Sequence, residues 1–66
     1  MKINFNSSQI DVRDNITVSQ LRDELSVPEA GVAVAVNGDI VVASKQADFV
    51  LKEGDDVILI GAAYGG

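Results

Sequence analysis

Residues 32–42 read VAVAVNGDIVV, and this stretch decides the fold of the 66-residue chain. Valines and alanines alternate over residues 32–36, which places the valines on one face of a strand and the alanines on the other. Asn37-Gly38 is a strong hairpin signal, because a type I′ turn needs positive φ at both central residues. Residues 40–42 then form the returning strand of the hairpin.

The sequence predicts one short helix over residues 18–26. Thr17 and Gln20, three residues apart, fit a capping box at its start. Pro28 ends the helix, because a proline pushes the preceding residue out of helical geometry. The apolar positions at helical spacing are Val18, Leu21 and Leu25.

The N-terminal residues predict a second hairpin. Residues 1–5 alternate apolar and polar side chains, residues 9–13 do the same, and Ser7-Ser8 forms a polar turn between them. The order is therefore strand, strand, helix, strand, short strand and last strand. A single short helix must pack its apolar face on a sheet. We expect an α+β fold in which a mixed sheet of four to five strands carries the helix on one face.

The last strand is apolar on both faces. Val57 and Leu59 are expected to face the helix, which leaves Ile58 and Ile60 on the open face together with Ala35. An exposed apolar patch usually marks a partner site, although a loop covering these side chains is the alternative. We predict a partner interface at three residues, Ala35, Ile58 and Ile60.

The segment after the last strand has little with which to build a core. Residues 61–66 read GAAYGG, and we predict that they form a flexible, extended tail on a domain of residues 1–60. At ~3.3 Å per residue the tail reaches about 20 Å from the body. The carboxylate of Gly66 could then enter the active site of another protein. The alternative is a frayed chain end.

Composition excludes several classes of function. The net charge of −5, from ten acidic and five basic residues, disfavours nucleic acid, which needs a basic stripe. The chain has no cysteine and no histidine, so neither a thiol nucleophile nor a histidine base is available. We therefore expect no enzyme, no cofactor and no metal site. Asp55-Asp56 could be an acid–base or metal pair, but a turn beside Gly54 is the favoured interpretation.

No apolar run is long enough to span a membrane, and the N-terminus lacks the pattern of a secretory signal. We therefore expect a cytoplasmic protein that does not enter a membrane. The acidic charge also suits steering toward a basic protein partner, with solubility as the alternative explanation.

Three stretches together carry a resemblance. They are the strand 32–36 with Asn37-Gly38, the turn LKEGDDV at residues 51–57, and the terminal Gly65-Gly66. With them the whole chain resembles the ubiquitin-like β-grasp superfamily, and within it the ThiS-type sulfur carrier proteins of thiamine biosynthesis. One departure is the sequence ASKQA at residues 43–47, where thiamine carriers often have a proline, a basic residue and an aromatic.

The resemblance implies a protein-borne sulfur carrier and a set of partners. An E1-like adenylating enzyme (ThiF-type) would attach AMP to the Gly66 carboxylate, and a sulfur donor such as a cysteine desulfurase would convert it to a thiocarboxylate. Thiazole synthase (ThiG-type) would then receive the sulfur. Tail residues expected to enter the partner are Gly61, Ala62, Ala63, Tyr64 and Gly65. The alternatives are a carrier resembling the small subunit of molybdopterin synthase, a ubiquitin-like modifier, and an interaction domain that carries no sulfur.

Overall fold

The computed structural model describes residues 1–28 and 30–61. The elements are β1 (Lys2–Phe5), β2 (Ser8–Asp11), α1 (Val18–Glu24), β3 (Val32–Val36), β4 (Asp39–Val41), α2 (Ala43–Gln46) and β5 (Asp56–Gly61). The predicted order of strands and helix is confirmed, and α2 is a single helical turn. Within the described ranges, neither helix has the length or apolar character that crossing a bilayer would require.

The strands form one mixed sheet in the order β2-β1-β5-β3-β4. The central pair β1 and β5 is parallel, whereas the other pairs are antiparallel. The last strand of the chain therefore lies in the middle of the sheet, between the two hairpins. Helix α1 covers one face, and the predicted α+β class with a mixed sheet is confirmed.

Both hairpins turn through residues with positive φ. Asn37 and Gly38 have φ of 52° and 88°, as the sequence predicted for this turn. In the first hairpin the turn residues are Asn6 and Ser7, with φ of 47° and 70°, and Ser8 is already the first residue of β2. The prediction of a Ser7-Ser8 turn was wrong by one position, because asparagine tolerates the left-handed region well and takes the first turn position.

The capping box at the start of α1 is confirmed. The Thr17 hydroxyl accepts from the Gln20 backbone N–H at 3.1 Å, and the Gln20 side-chain oxygen accepts from the Thr17 N–H at 3.0 Å. The helix ends at Glu24, two residues earlier than predicted. Ser26 has φ of 56°, which a right-handed helix cannot include. Leu25, which the sequence placed with the apolar positions of the helix, is 41% exposed.

The core lies between α1 and the sheet. Two backbone hydrogen bonds join the start of α1 to the segment before β5. Val18 N–H donates to Phe49 O at 3.0 Å, and Leu51 N–H donates to Ile16 O at 2.8 Å. These bonds fix the segment before β5 against the first turn of α1. The core cluster consists of Ile3, Ile16, Val18, Leu21, Val34, Val36, Val41, Leu51, Val57 and Leu59.

Among the residues that the structure describes, two polar side chains are buried beside this core. Arg22 is 5% exposed and Gln46 is 7% exposed. Arg22 is not among the apolar positions that the sequence predicted for the buried side of α1, so its burial was missed. The arginine is enclosed because α2 and the beginning of β3 pack around that side of the helix, where the guanidinium finds acceptors on both.

Candidate functional site

Strand β5 presents two rows of side chains with different surroundings. Val57 and Leu59 are 0% and 3% exposed in the core. Ile58 and Ile60 are 40% and 47% exposed on the face away from α1. The predicted assignment of the two rows to the two faces is confirmed, and no loop among the described residues covers the outer row.

The outer row belongs to a larger apolar surface. Ile40 of β4 is 56% exposed and lies opposite Ala35, which in turn lies opposite Ile58. The prediction missed Ile40, although the register of the Asn37-Gly38 hairpin places it beside Ala35. We call this surface the apolar patch. It consists of Ala33, Ala35, Ile40, Ile58 and Ile60.

One predicted interface residue needs correction. Ala35 lies on the apolar patch as expected, but it is only 6% exposed. Its small side chain sits between two larger ones, Ile40 and Ile58, on the neighbouring strands. The exposed surface of the patch therefore comes mainly from the isoleucines, and Ala35 lies buried between them.

The same face of the sheet is polar on β1 and β2. Lys2 Nζ lies 3.0 Å from Asp11 Oδ1, and Asn4 lies opposite Gln9. Because these residues share the face that carries the apolar patch, the patch ends at the boundary between β5 and β1. Asp56, at the start of β5, is exposed at this boundary.

The turn before β5 uses the acidic pair structurally. Asp55 accepts from the Lys52 N–H at 2.8 Å and from Asn37 Nδ2 at 3.0 Å. Asn37 Oδ1 also accepts from the Asp56 N–H at 2.9 Å, so the hairpin turn is tied to the start of β5. In the described part of the chain, residues 1–28 and 30–61, no three potential metal ligands come together. Asp55 is a turn residue as predicted, whereas Asp56 is the first residue of β5 and takes part through its backbone.

The other end of β5 is the root of the terminal segment. Gly61, which the sequence assigned to the tail, is the last residue of β5 and pairs with Val32. A Cβ on Gly61 would collide with the carbonyl oxygen of Gly31, so this close approach of two backbones requires glycine. The predictions made for Ala62, Ala63, Tyr64, Gly65 and Gly66 lie outside the described residues.

The terminal segment thus continues directly from the strand that carries Ile58 and Ile60. In a comparison with known protein families, the model of the ThiS family matches residues 1–66 of the chain. The chain belongs to the ThiS family.

Two relatives agree with this assignment. The ThiS-family chain is 32% identical over 66 residues to the sulfur carrier protein ThiS of Escherichia coli (strain K12), with 100% of both chains covered. It superposes with a TM-score of 0.85 on the crystal structure of the thiamine biosynthesis protein ThiS from Geobacter metallireducens, at 26% identity and with 100% of both chains covered.

The family membership confirms the resemblance and the β-grasp fold. The ThiS-family chain is a sulfur carrier protein of thiamine biosynthesis, not a catalyst. The departure noted at residues 43–47 forms α2 and the residue after it. Since the whole chain superposes on a ThiS structure, this different sequence leaves the fold unchanged.

Proposed function

We propose that this chain carries sulfur on the carboxyl group of Gly66 and delivers it to thiazole synthase. One observation carries the proposal. In this ThiS-family chain, the strand β5 that contributes Ile58 and Ile60 to the apolar patch is also the strand that the terminal segment follows. The domain, which ends with Gly61 in β5, binds the partner, and the segment 62–66 brings the reacting atom to the partner's active site. Both the chemistry and the catalytic groups belong to the partner enzymes.

The first step activates the terminal carboxylate. A carboxylate resists attack by sulfur because its leaving group would be oxide. A carboxylate oxygen of Gly66 attacks the α-phosphorus of ATP on an E1-like, ThiF-type enzyme, and pyrophosphate leaves. The acyl-adenylate then has AMP as its leaving group. The persulfide of a donor such as a cysteine desulfurase attacks the carbonyl carbon and displaces AMP, which gives an acyl disulfide. A second thiol then cleaves its S–S bond, so that a disulfide forms and the thiocarboxylate is released.

The composition of the chain supports Gly66 as the site of sulfur. The sequence contains no cysteine, so the sulfur has no thiol side chain to occupy. Gly65 has no side chain that would obstruct a narrow channel around the reacting carbonyl. We assign Tyr64 the role of an anchor in that channel, because aromatic side chains often dominate the binding energy of an interface.

Docking of the body uses the apolar patch. Ile40, Ile58 and Ile60 offer exposed apolar side chains around the buried Ala35, and a partner that covers them removes this surface from water. The net charge of −5 favours a partner whose rim around the apolar contact is basic. Ala62 and Ala63, which follow Gly61, are the small residues that lead from the end of β5 into the channel.

Intact-mass measurement tests the proposal. The chain is incubated with ATP, a ThiF-type adenylating enzyme and inorganic sulfide as the sulfur source. We expect a mass gain equal to the difference between sulfur and oxygen, which requires both ATP and the enzyme. The matched control is the chain without Gly65-Gly66, which should gain nothing. An unchanged mass with an enzyme that is active on its own carrier would refute the proposal.

The acceptor is tested in the same reaction. The thiocarboxylate form is added to a ThiG-type thiazole synthase or, in a parallel sample, to the large subunit of a molybdopterin synthase. We expect the carrier to lose its sulfur to the first enzyme only. Transfer to the second enzyme alone would replace thiazole formation with molybdopterin synthesis as the function of the carrier.

A further inference from the structure

The buried arginine of α1 binds three acceptors from different parts of the chain. Arg22 Nη1 donates to Val32 O at 3.3 Å and to Gln46 Oε1 at 3.2 Å, and Nη2 donates to Pro28 O. Its Nε–H is also buried and finds no acceptor within residues 1–28 and 30–61. A buried guanidinium costs desolvation free energy that a smaller apolar side chain would not, so these contacts point to a function beyond stability.

These contacts lie at the beginning of β3, where the neighbouring strand β4 has already ended. Continuing the β3–β4 register beyond Val34 and Val41 would put Ala43 opposite Val32, but Ala43 begins α2. Val32 O therefore has no partner on β4, and Arg22 Nη1 donates to it instead. Gln46 supports it from the other side, since its Nε2 donates to Val41 O at 3.0 Å. Arg22 and Gln46 therefore close the edge of the sheet at the beginning of β3.

The beginning of β3 is also what holds the end of β5. Val32 pairs with Gly61, the last residue before the terminal segment. The backbone of Gly31 approaches Gly61 so closely that no side chain fits there. A shift of residues 31–32 therefore moves Gly61 with it. The guanidinium of Arg22, which fixes Val32 O and the loop at Pro28, fixes the point from which the terminal segment starts.

We propose that Arg22 is a positioning residue for sulfur loading, because it sets the place and direction in which residues 62–66 leave the body. The inference rests on the proposed function. Five residues span at most about 17 Å when extended, so a segment drawn into a channel has no spare length to correct a displaced root. Once the body has docked through the apolar patch, a displaced root leaves the Gly66 carboxylate away from the α-phosphorus of ATP.

This role makes a specific kinetic prediction. The patch, which determines docking, lies on the other face of the sheet from α1, so loss of the guanidinium should leave KM for the carrier within about twofold. The turnover number for carrier-dependent pyrophosphate release should fall about tenfold or more, because small displacements of reacting groups are costly in rate. A variant that is merely less stable would show normal kcat and KM once it is measured below its unfolding temperature.

The variants are Arg22→Met, which keeps the length of the side chain, and Arg22→Lys, which keeps the charge without the planar fork. Arg13→Met is the matched control, because Arg13 is exposed and pairs with Glu24 at 2.8 Å on the surface. We expect the order of kcat to be wild type and Arg13→Met, then Arg22→Lys, then Arg22→Met. A folded Arg22→Met protein with the kcat of wild type would overturn the inference.

Amide hydrogen exchange tests the same claim without any enzyme. In Arg22→Met the amides of Ala33 and Ile60, the hydrogen-bonded pair next to Gly61 in the β3–β5 ladder, should exchange about tenfold faster. The Asn37 amide at the opposite end of the same ladder, which donates to Asp56 O at 2.8 Å, should keep its rate. Uniformly faster exchange along the pair would mean a general loss of stability and would overturn the positioning role.

If Arg22→Met does not fold, Gln46→Met replaces it. This variant removes one of the three acceptors of the arginine and the bond to Val41 O, so it should lower kcat in the same direction by a smaller factor. An unchanged kcat together with unchanged Ile60 exchange would overturn the inference. If the wild-type chain supports no pyrophosphate release, the proposed function fails instead, and the exchange rates still decide whether Arg22 holds the root of the segment.

Discussion

The two faces of β5 carry similar apolar side chains in different surroundings. Val57 and Leu59 are buried under α1, whereas Ile58 and Ile60 carry similar side chains that remain about half exposed. Both rows are apolar, so their difference lies in what covers them. The inner row stabilises the domain, and the outer row is the surface that we propose for docking. Apolar character alone therefore does not distinguish a buried position from an exposed one, and the register of the sheet does.

The largest effect should come from the inner row. Leu59→Ala removes buried methyl groups from the core and should lower the free energy of unfolding by about 2–4 kcal/mol. Its matched control, Ile60→Ala, deletes a similar volume from the outer row and should cost less than about 1 kcal/mol. Urea denaturation followed by circular dichroism measures both. Equal losses for the two variants would remove the distinction between the faces.

A charge on the outer row should act on binding. Ile58→Glu and Ile60→Glu each place a carboxylate in the apolar patch and should weaken binding to the adenylating enzyme at least about tenfold, or ~1.4 kcal/mol. The matched control is Gln9→Glu, which adds the same charge to the polar half of the same face. Titration calorimetry measures the three affinities.

Two outcomes of this comparison of affinities would contradict the assignment of the docking surface. If Ile58→Glu or Ile60→Glu unfolds the domain, the outer row belongs to the core. If Gln9→Glu weakens binding as much as they do, added charge anywhere on the face is responsible, and the apolar patch is not the docking surface.

A smaller effect on stability should come from the cap of α1. Thr17→Ala removes the hydroxyl that accepts from the Gln20 N–H and should cost about 1 kcal/mol, whereas Thr17→Ser keeps the bond. Because α1 supports only the buried face, affinity for the adenylating enzyme should not change. Thermal unfolding and the same calorimetric titration check the two halves of this prediction, and a parallel loss of affinity would show that the faces are coupled.

The smallest effect on stability should come from the end of the chain. Gly65 and Gly66 have no side chains to pack, so their deletion should change the free energy of unfolding by less than about 0.5 kcal/mol. The same deletion should abolish sulfur loading. A large loss in thermal unfolding would show that the segment is part of the packed body and is not a separate functional end.

The features that the sequence predicted correctly depend on local patterns. Asn37-Gly38 determines its own turn, and the alternation in residues 32–36 and along β5 determines which side chains share a face. The capping box at Thr17 is equally local. The apolar patch could be predicted for the same reason, since two neighbouring strands with known alternation place their outer residues side by side.

The features that were missed depend on contacts between distant parts of the chain. Arg22 is polar and lies on a helix otherwise rich in charged residues, so nothing in its neighbourhood indicates burial. Its acceptors come from residues six, ten and 24 positions further along. The close approach of Gly31 to Gly61 has the same origin. Neither can be derived from periodicity, because each depends on how β3, β5 and α2 meet.

The most direct test of the central claim locates the sulfur after loading. The chain is treated with ATP, the adenylating enzyme and sulfide, and its C-terminal peptide is fragmented in a mass spectrometer. We predict that one oxygen is replaced by sulfur on Gly66 and nowhere else, and that the Ile58→Glu chain is loaded more slowly but at the same residue. Sulfur on any other residue, or loading of a chain that lacks Gly66, would contradict the account.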